Sequence, residues 1–192
     1  MIQLIGIGGM PATGKSTLMR RILEEIGKGI PQKAGLLHYT LHESSRVIVL
    51  GQYNKGGNYP GTDCLSMAVL PEAVGNVQVW SGMKGLEGWT VAFEGDRLYA
   101  GKFMTLAEKA RKIQCKWIQL TVSDASRKSR MCSRDDTKTD SWLRGRETKL
   151  RGIAERHEVQ RVVHETSTDT ESACSLILTM MSEFSEAKEE RK

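Results

Sequence analysis

The chain has 192 residues, with 28 Lys and Arg against 23 Asp and Glu, a formal net charge of +5 and four cysteines. That length favours one domain whose core stands without disulfide or metal staples, and the mildly basic balance suits a polyanionic partner. Cys64, Cys115, Cys132 and Cys174 are scattered and form no zinc spacing with the four histidines. No apolar run approaches the ~20 residues of a membrane span, and the first apolar segment is too short for a signal peptide. The expectation is one soluble domain over residues 1–192, held in a reducing cytoplasm with no membrane partner.

Residues 1–8 read as a buried strand. Residues 15–26 read as a helix, with Leu18, Met19, Ile22, Leu23 and Ile26 at helical spacing. "GKGIPQKAG" reads as a loop. "LLHYT" and "RVIVLGQY" are two short β-type runs, a hairpin or a strand with an edge ribbon. The ten-residue loop "NKGGNYPGTD" is long for a plain connection. Asp63 is placed to cap a helix beginning "CLSMAVLPEAV", which Pro71 is expected to kink or split. "GWTVAFEGDRL" is a strand ending in charge, "TLAEKARKI" a helix, "KWIQLTV" a strand, "VQRVVHE" a last strand and "TESACSLILTMMSEF" a last amphipathic helix. This order predicts an α/β fold, a five-stranded mainly parallel sheet with helices on both faces and a β-ribbon beside it.

The sharpest signal lies between the first strand and the first helix. Gly9, Gly14, Lys15 and Ser16 fit G-x-x-x-x-G-K-[ST] in the required strand–turn–helix context. Bare backbone lets N–H groups converge on a phosphate, and the helix N-terminus adds its positive dipole end. Gly9, Ala12, Thr13, Gly14, Lys15, Ser16 and Thr17 are therefore expected to hold a nucleoside triphosphate, ATP or another. Lys15 supplies charge to the β/γ-phosphates, and the Ser16 hydroxyl reaches Mg²⁺.

At the end of the "VAFEGDR" strand, Glu94 is placed to hold the Mg²⁺ shell through water. Asp96 and Arg97 follow it. The segment 125–156 carries ten Lys and Arg against five Asp and Glu, so the rest of the chain nets to zero. Arg127, Arg130 and Arg134 fall on one face of a helix, and Arg144, Arg146 and Lys149 follow a break at "DDTKTD". Two arginine clusters about a polar hinge predict a lid that neutralises charge in phosphoryl transfer. The alternative for this segment is a solvated charged helix. Asp63 is also a candidate general base. Tyr53, Tyr59 and Trp142 are candidates for stacking on a base or for plain packing. Asp169 or Thr170 borders the nucleotide or caps a helix.

These motifs resemble the nucleotide-kinase branch of P-loop proteins across nearly the whole chain. More narrowly, "GTDCLSMAV" (61–69), "FEGDRL" (93–98) and "RGRETK" (144–149) resemble a group of phage P-loop kinases. That group is similar to DNA kinases that phosphorylate 5-hydroxymethyl pyrimidines, hydroxymethyluracil among them, already in DNA. Where that group commonly has arginine after "GTD", this chain has Cys64. The resemblance implies an ATP- and Mg²⁺-dependent kinase of host-cell cytoplasm acting on a hydroxymethylated pyrimidine in DNA. Lys15, Asp63, Glu94, Asp96, Arg97, Arg130, Arg134, Arg144 and Arg146 would be at work in catalysis. Two further readings stand beside it: a deoxynucleoside monophosphate kinase acting on free nucleotides, and an NTP-driven switch or DNA-binding ATPase without an acceptor. An alcohol acceptor gains from a carboxylate base, whereas a monophosphate oxyanion needs arginines and no base; the chain has both residue types.

Overall fold

A computed structural model of the chain describes residues 1–53, 61–134 and 138–189, residues 188 and 189 by backbone alone. Every position of β1 (Ile2–Gly9) is buried, as expected of a central strand covered on both faces. After it come α1 (Lys15–Ile26), β2 (Ile30–Ala34), β3 (Leu37–His42) and β4 (Val47–Leu50), then α2 (Val69–Gly82), β5 (Thr90–Glu94) and α3 (Gly101–Glu108). β6 (Ile113–Thr121), α4 (Asp124–Cys132), α5 (Asp140–Ala154), β7 (Val159–Val163) and α6 (Ser167–Glu189) complete the order.

One sheet takes seven strands in the order β2-β3-β4-β5-β1-β6-β7, where the sequence predicts five. From β4 to β7 neighbours in the sheet pair parallel, and the β3–β4 and β2–β3 pairs are antiparallel. The hairpin expected from "LLHYT" and "RVIVLGQY" thus forms as β3–β4 and joins the main sheet. β2 is a strand where a loop was expected. Four of its five residues are exposed, so it shows no buried alternation, and Pro31 is tolerated because the strand lies at the sheet edge.

Helices cover both faces. Leu18, Met19 and Ile22 of α1 and Ala173, Ile177 and Met181 of α6 pack on Ile5, Ile7, Val49 and Ile118. On the other face, Val77 and Trp80 of α2, Phe103 and Met104 of α3, and Leu150 and Ile153 of α5 pack on Leu4, Val91, Phe93 and Trp117. Among the described residues no helix is long and apolar enough to cross a membrane, and all four cysteines are free.

Two sequence expectations change in α2. The helix starts at Val69, not at Cys64. Pro71 therefore sits in its first turn, where a missing N–H leaves no hydrogen bond unmade, so it neither kinks nor splits the helix. The adjacent strands β1 and β5 send their connections to opposite sides, β1 through α1 toward β4 and β5 through α3 toward β6. Such a switch point opens a crevice beyond the carboxyl ends of the two strands, where ligands of α/β sheets bind.

Glycine in the middle of β1 has a packing cause. A Cβ on Gly6 would stand 2.7 Å from Phe93 Cζ and 2.8 Å from Trp117 Cε3, two rings that meet at 6.4 Å and 61°. Gly6→Ala should overpack this layer and destabilise the fold by ~1–3 kcal/mol. Urea unfolding should show this as a lower midpoint at unchanged slope. An unchanged midpoint would mean that the rings give way freely.

Candidate functional site

The turn between β1 and α1, residues 9–16, opens into that crevice. Gly14 is the N-cap of α1 in the left-handed region, φ 86°, with no side-chain cap and no acidic residue in the first turn. The helix start therefore presents its dipole end uncovered by any side chain of its own. Gly14 is also closely backed. A Cβ there would lie 2.4–2.5 Å from Cε1 and Nδ1 of His164, a buried ring just past β7 whose Nε2 meets Thr170 Oγ1 at 3.0 Å. Ala12 also has positive φ, 59°, and Thr13 Oγ1 donates to Met10 O at 2.8 Å, closing the turn on itself. Gly9 leads into the turn from β1. Thr17, in the first turn of α1, is exposed.

Lys15 folds back over the turn, its Nζ donating to Gly9 O at 3.2 Å and Met10 O at 3.0 Å. From there its charge reaches two carboxyl groups, Asp63 and Glu94. Ser16 Oγ donates to Glu94 Oε1 at 3.1 Å. Glu94 ends β5 and is 1% exposed. Burial pushes its pKa up to about 7, with Lys15 opposing and Asp63 and Asp96 adding to the rise.

Asp63 does not cap α2. Its Oδ1 accepts the backbone N–H of Asp96 at 2.7 Å and of Arg97 at 3.2 Å, so it is spent on the turn after β5. Thr62 Oγ1 donates to Glu94 O at 2.6 Å, and Arg97 Nε donates to Leu65 O at 3.2 Å. The short segment 61–65 is thus tied to the end of β5 from both sides. Burial, then the charge of Asp96, raises the Asp63 pKa, while Lys15 and the two amides oppose.

α5 closes the other side. Arg146 is 5% exposed, and its Nη2 pairs with Asp96 Oδ1 at 2.5 Å. Its Nε and Nη1 have no hydrogen-bond partner among the described residues, nor has the buried hydroxyl of Tyr99. Burial lowers the Arg146 pKa, with Asp96 and Asp63 opposing. Lys149 is lowered by loss of solvent and then by the Arg146 charge. Tyr53 carries a buried hydroxyl beside Glu94 and Asp63, and burial drives its pKa upward.

Lys15, Ser16, Asp63, Glu94, Asp96 and Arg146 therefore converge, while the remaining arginines divide. Arg130 reaches back from α4 to Ala12 O at 3.4 Å, His164 O at 3.1 Å and Glu165 O at 2.6 Å, clamping the turn to the segment after β7. Arg97 holds the 61–65 segment. Arg134 and Arg144 are exposed. Arg134 does not share a helix face with Arg127 and Arg130, because α4 stops at Cys132. Arg127 pairs with Asp124 at 2.9 Å. Cys64 is exposed, and its Sγ donates to Gly61 O at 3.0 Å. Asp169 and Thr166 form a reciprocal capping box at the start of α6: Thr166 N donates to Asp169 Oδ2 at 2.9 Å and Asp169 N to Thr166 Oγ1 at 3.2 Å. Tyr59 and residues 135–137 of the predicted hinge lie outside the described residues.

Sequence reasoning missed His164 and Tyr99. His164 carried one usable signal, its place immediately after the last strand. Tyr99 carried none, because its role follows from Gly8, where a Cβ would strike its ring. Among the described residues no group of three or more His, Cys, Asp or Glu side chains is set to hold a metal ion by itself. Compared with known proteins, the chain matches no family model and no curated protein.

The raised pKa of Glu94 gives the ligand-free protein a pH signature. Between the ordinary value of 4.5 and about 7, the unfolded chain loses this proton and the folded chain keeps it. Stability should therefore fall as pH rises through that window, by on the order of 3 kcal/mol, and level off above it. Glu94→Gln should flatten the slope and melt higher at pH 8. Thermal melts from pH 4.5 to 8 check this, and equal slopes in parent and variant would exclude a protonated Glu94.

Proposed function

We propose that this chain is a P-loop kinase that transfers the γ-phosphoryl group of ATP, or another NTP, to the hydroxymethyl group of a modified pyrimidine in DNA. Support for the donor half comes from the glycine-rich turn. Its uncapped helix start faces the crevice beside Lys15, as required for a triphosphate. Ser16 and Glu94 fit a hydrated Mg²⁺. They lie 3.1 Å apart, and the high pKa of Glu94 marks a buried carboxyl short of positive charge. When bound, the ion would neutralise phosphate charge. Arg130 steadies the turn, and Arg146 stands by to stabilise charge that develops at the transferred group. In this reading α4 and the first turns of α5 cover the site as a lid, with Arg134 and Arg144 available to bound phosphate.

Asp63 carries the acceptor half. Two amides hold its Oδ1, so the group is oriented, and no described residue donates to Oδ2. Its raised pKa suits a general base. In the reaction, the hydroxymethyl oxygen attacks the γ-phosphorus, the bond to the β-phosphate oxygen breaks, and Oδ2 takes the hydroxyl proton. The nucleoside diphosphate leaves with the electron pair. Three carboxyl groups at the mouth, Asp63, Glu94 and Asp96, also favour a neutral alcohol over a dianion.

One observation favours a second reading, a deoxynucleoside monophosphate kinase. Arg146 has two unpartnered nitrogens, with Lys149 close enough to feel its charge. That pair would suit an anionic acceptor.

Labelled ATP offered to hydroxymethylated DNA and to free deoxynucleoside monophosphates separates the two readings. Lys15→Ala should reduce transfer to any acceptor by ~10²-fold or more in a normally folded protein. Turnover near the parent rate would remove the P-loop assignment. Asp63→Asn keeps an oxygen for the Asp96 and Arg97 amides, so melting should hardly change. Transfer to hydroxymethylated DNA should fall ~10²–10⁴-fold. A loss under about threefold, far below what a general base contributes, would point to the monophosphate reading.

A further inference from the structure

An unexplained exposed ring stands beside this site. At 100° per residue, Trp142, Arg146, Lys149 and Ile153 fall within about 60° on one stripe of α5. The stripe runs along the margin of the buried face: Ile153 is fully buried in the core and Arg146 reaches Asp96, whereas Lys149 is exposed. Trp142 lies within the stripe, and 43% of it is exposed. The first turn of α5 therefore leaves an indole uncovered on the same side as Arg146. Trp142 stands one turn above Arg146, about 6 Å along the helix axis, and Arg146 in turn pairs with Asp96.

The main chain at Trp142 is fixed by the helix cap, and a cation lies over its ring. Trp142 N donates to Thr139 Oγ1, the N-cap of α5, at 3.3 Å. Lys138 Nζ lies 5.5 Å from the ring centre on one face, which adds positive charge where a nucleotide backbone would pass. Directly below, the buried Arg146 keeps Nε and Nη1 unpartnered among the described residues. An exposed indole face, flanking cations and a buried donor one turn away together match one chemistry, a planar base on an anionic backbone.

We propose that Trp142 is the stacking platform for the acceptor base, which lies against the indole face opposite Lys138 with its hydroxymethyl group directed down toward Asp63. The inference rests on the kinase reading for its acceptor, but the binding step can be tested without phosphoryl transfer. A base in a duplex would reach this ring only after leaving its stack, so single-stranded or flipped bases are the expected occupants.

The test uses the full chain without any nucleoside triphosphate. A short single-stranded oligonucleotide carrying one hydroxymethyluracil should quench tryptophan fluorescence, and the same strand with an abasic site there should quench much less. The difference should vanish in Trp142→Phe, which still binds but no longer reports. In the transfer assay, Trp142→Leu should raise the acceptor KM roughly 5- to 150-fold, the span that stacking on one base commands. Its kcat should stay near the parent value, and Trp142→Phe should recover most of the KM. ATP affinity, measured by displacement of a fluorescent analogue, separates a failed donor site from a failed platform. Equal quenching by intact and abasic strands would overturn the proposal, as would a base-dependent signal that survives in Trp142→Phe. A Trp142→Leu protein with normal ATP affinity and parental acceptor KM would do the same. If no acceptor is phosphorylated but base-dependent quenching through Trp142 is seen, the platform stands and the kinase reading falls.

Discussion

A single buried carboxyl group constrains everything at the carboxyl end of the sheet. Glu94 closes β5 with 1% of its surface exposed, in a medium where an ionised carboxylate needs pairing or a proton. The fold supplies only part of that pairing: the Ser16 hydroxyl at 3.1 Å and the nearby charge of Lys15. Its neighbours are set by the same strand end. Thr62 is bonded to its main-chain oxygen, and Asp63 is locked onto the two amides that follow Gly95. The acidic group of one loop and the glycine-rich turn of another are thus brought into register by main-chain atoms at the end of β5.

How legible this was in the sequence depended on whether local or distant atoms decide each feature. The glycine-rich turn was readable because strand, turn and helix are consecutive, and α1 begins at the expected Lys15. Glu94 was readable for the same reason, as a charge at the end of an apolar run. Asp63 was picked out as chemically interesting but given the wrong partner. An aspartate ahead of a helical run resembles an N-cap, and nothing local reveals that its oxygen belongs to amides 33 and 34 residues away. β2 was missed because an exposed edge strand is held by its ladder rather than by a buried face. His164 and Tyr99 were hidden because their partners are glycines, which signal absence of bulk without saying what fills it.

The basic segment shows how charge counting and geometry differ. Ten cations in 32 residues predicted either two arginine clusters about a polar hinge, closing as a lid, or a solvated charged helix. The structure divides them between buried and exposed positions. Arg130 and Arg146 turn inward and bind carbonyls and a carboxylate, while Arg134 and Arg144 meet solvent. Leu150 and Ile153 fasten the second half of α5 to the core.

The packing of α1 against α6 has a consequence for biogenesis. These two helices share one face of the sheet, and Arg21 and Glu171 join them through an ion pair at 2.9 Å across 150 residues of chain. α1 carries the glycine-rich turn on its N-terminus, and His164, which backs that turn, sits just ahead of α6. A ribosome adding ~5–20 residues per second needs roughly 8–30 s to travel between the two partners. During that interval Leu18, Met19 and Ile22 lack the cover that Ala173, Ile177 and Met181 of α6 supply. The nascent chain thus displays part of an apolar helix face long before the glycine-rich turn gains its backing, and this is the stage at which a chaperone would find it.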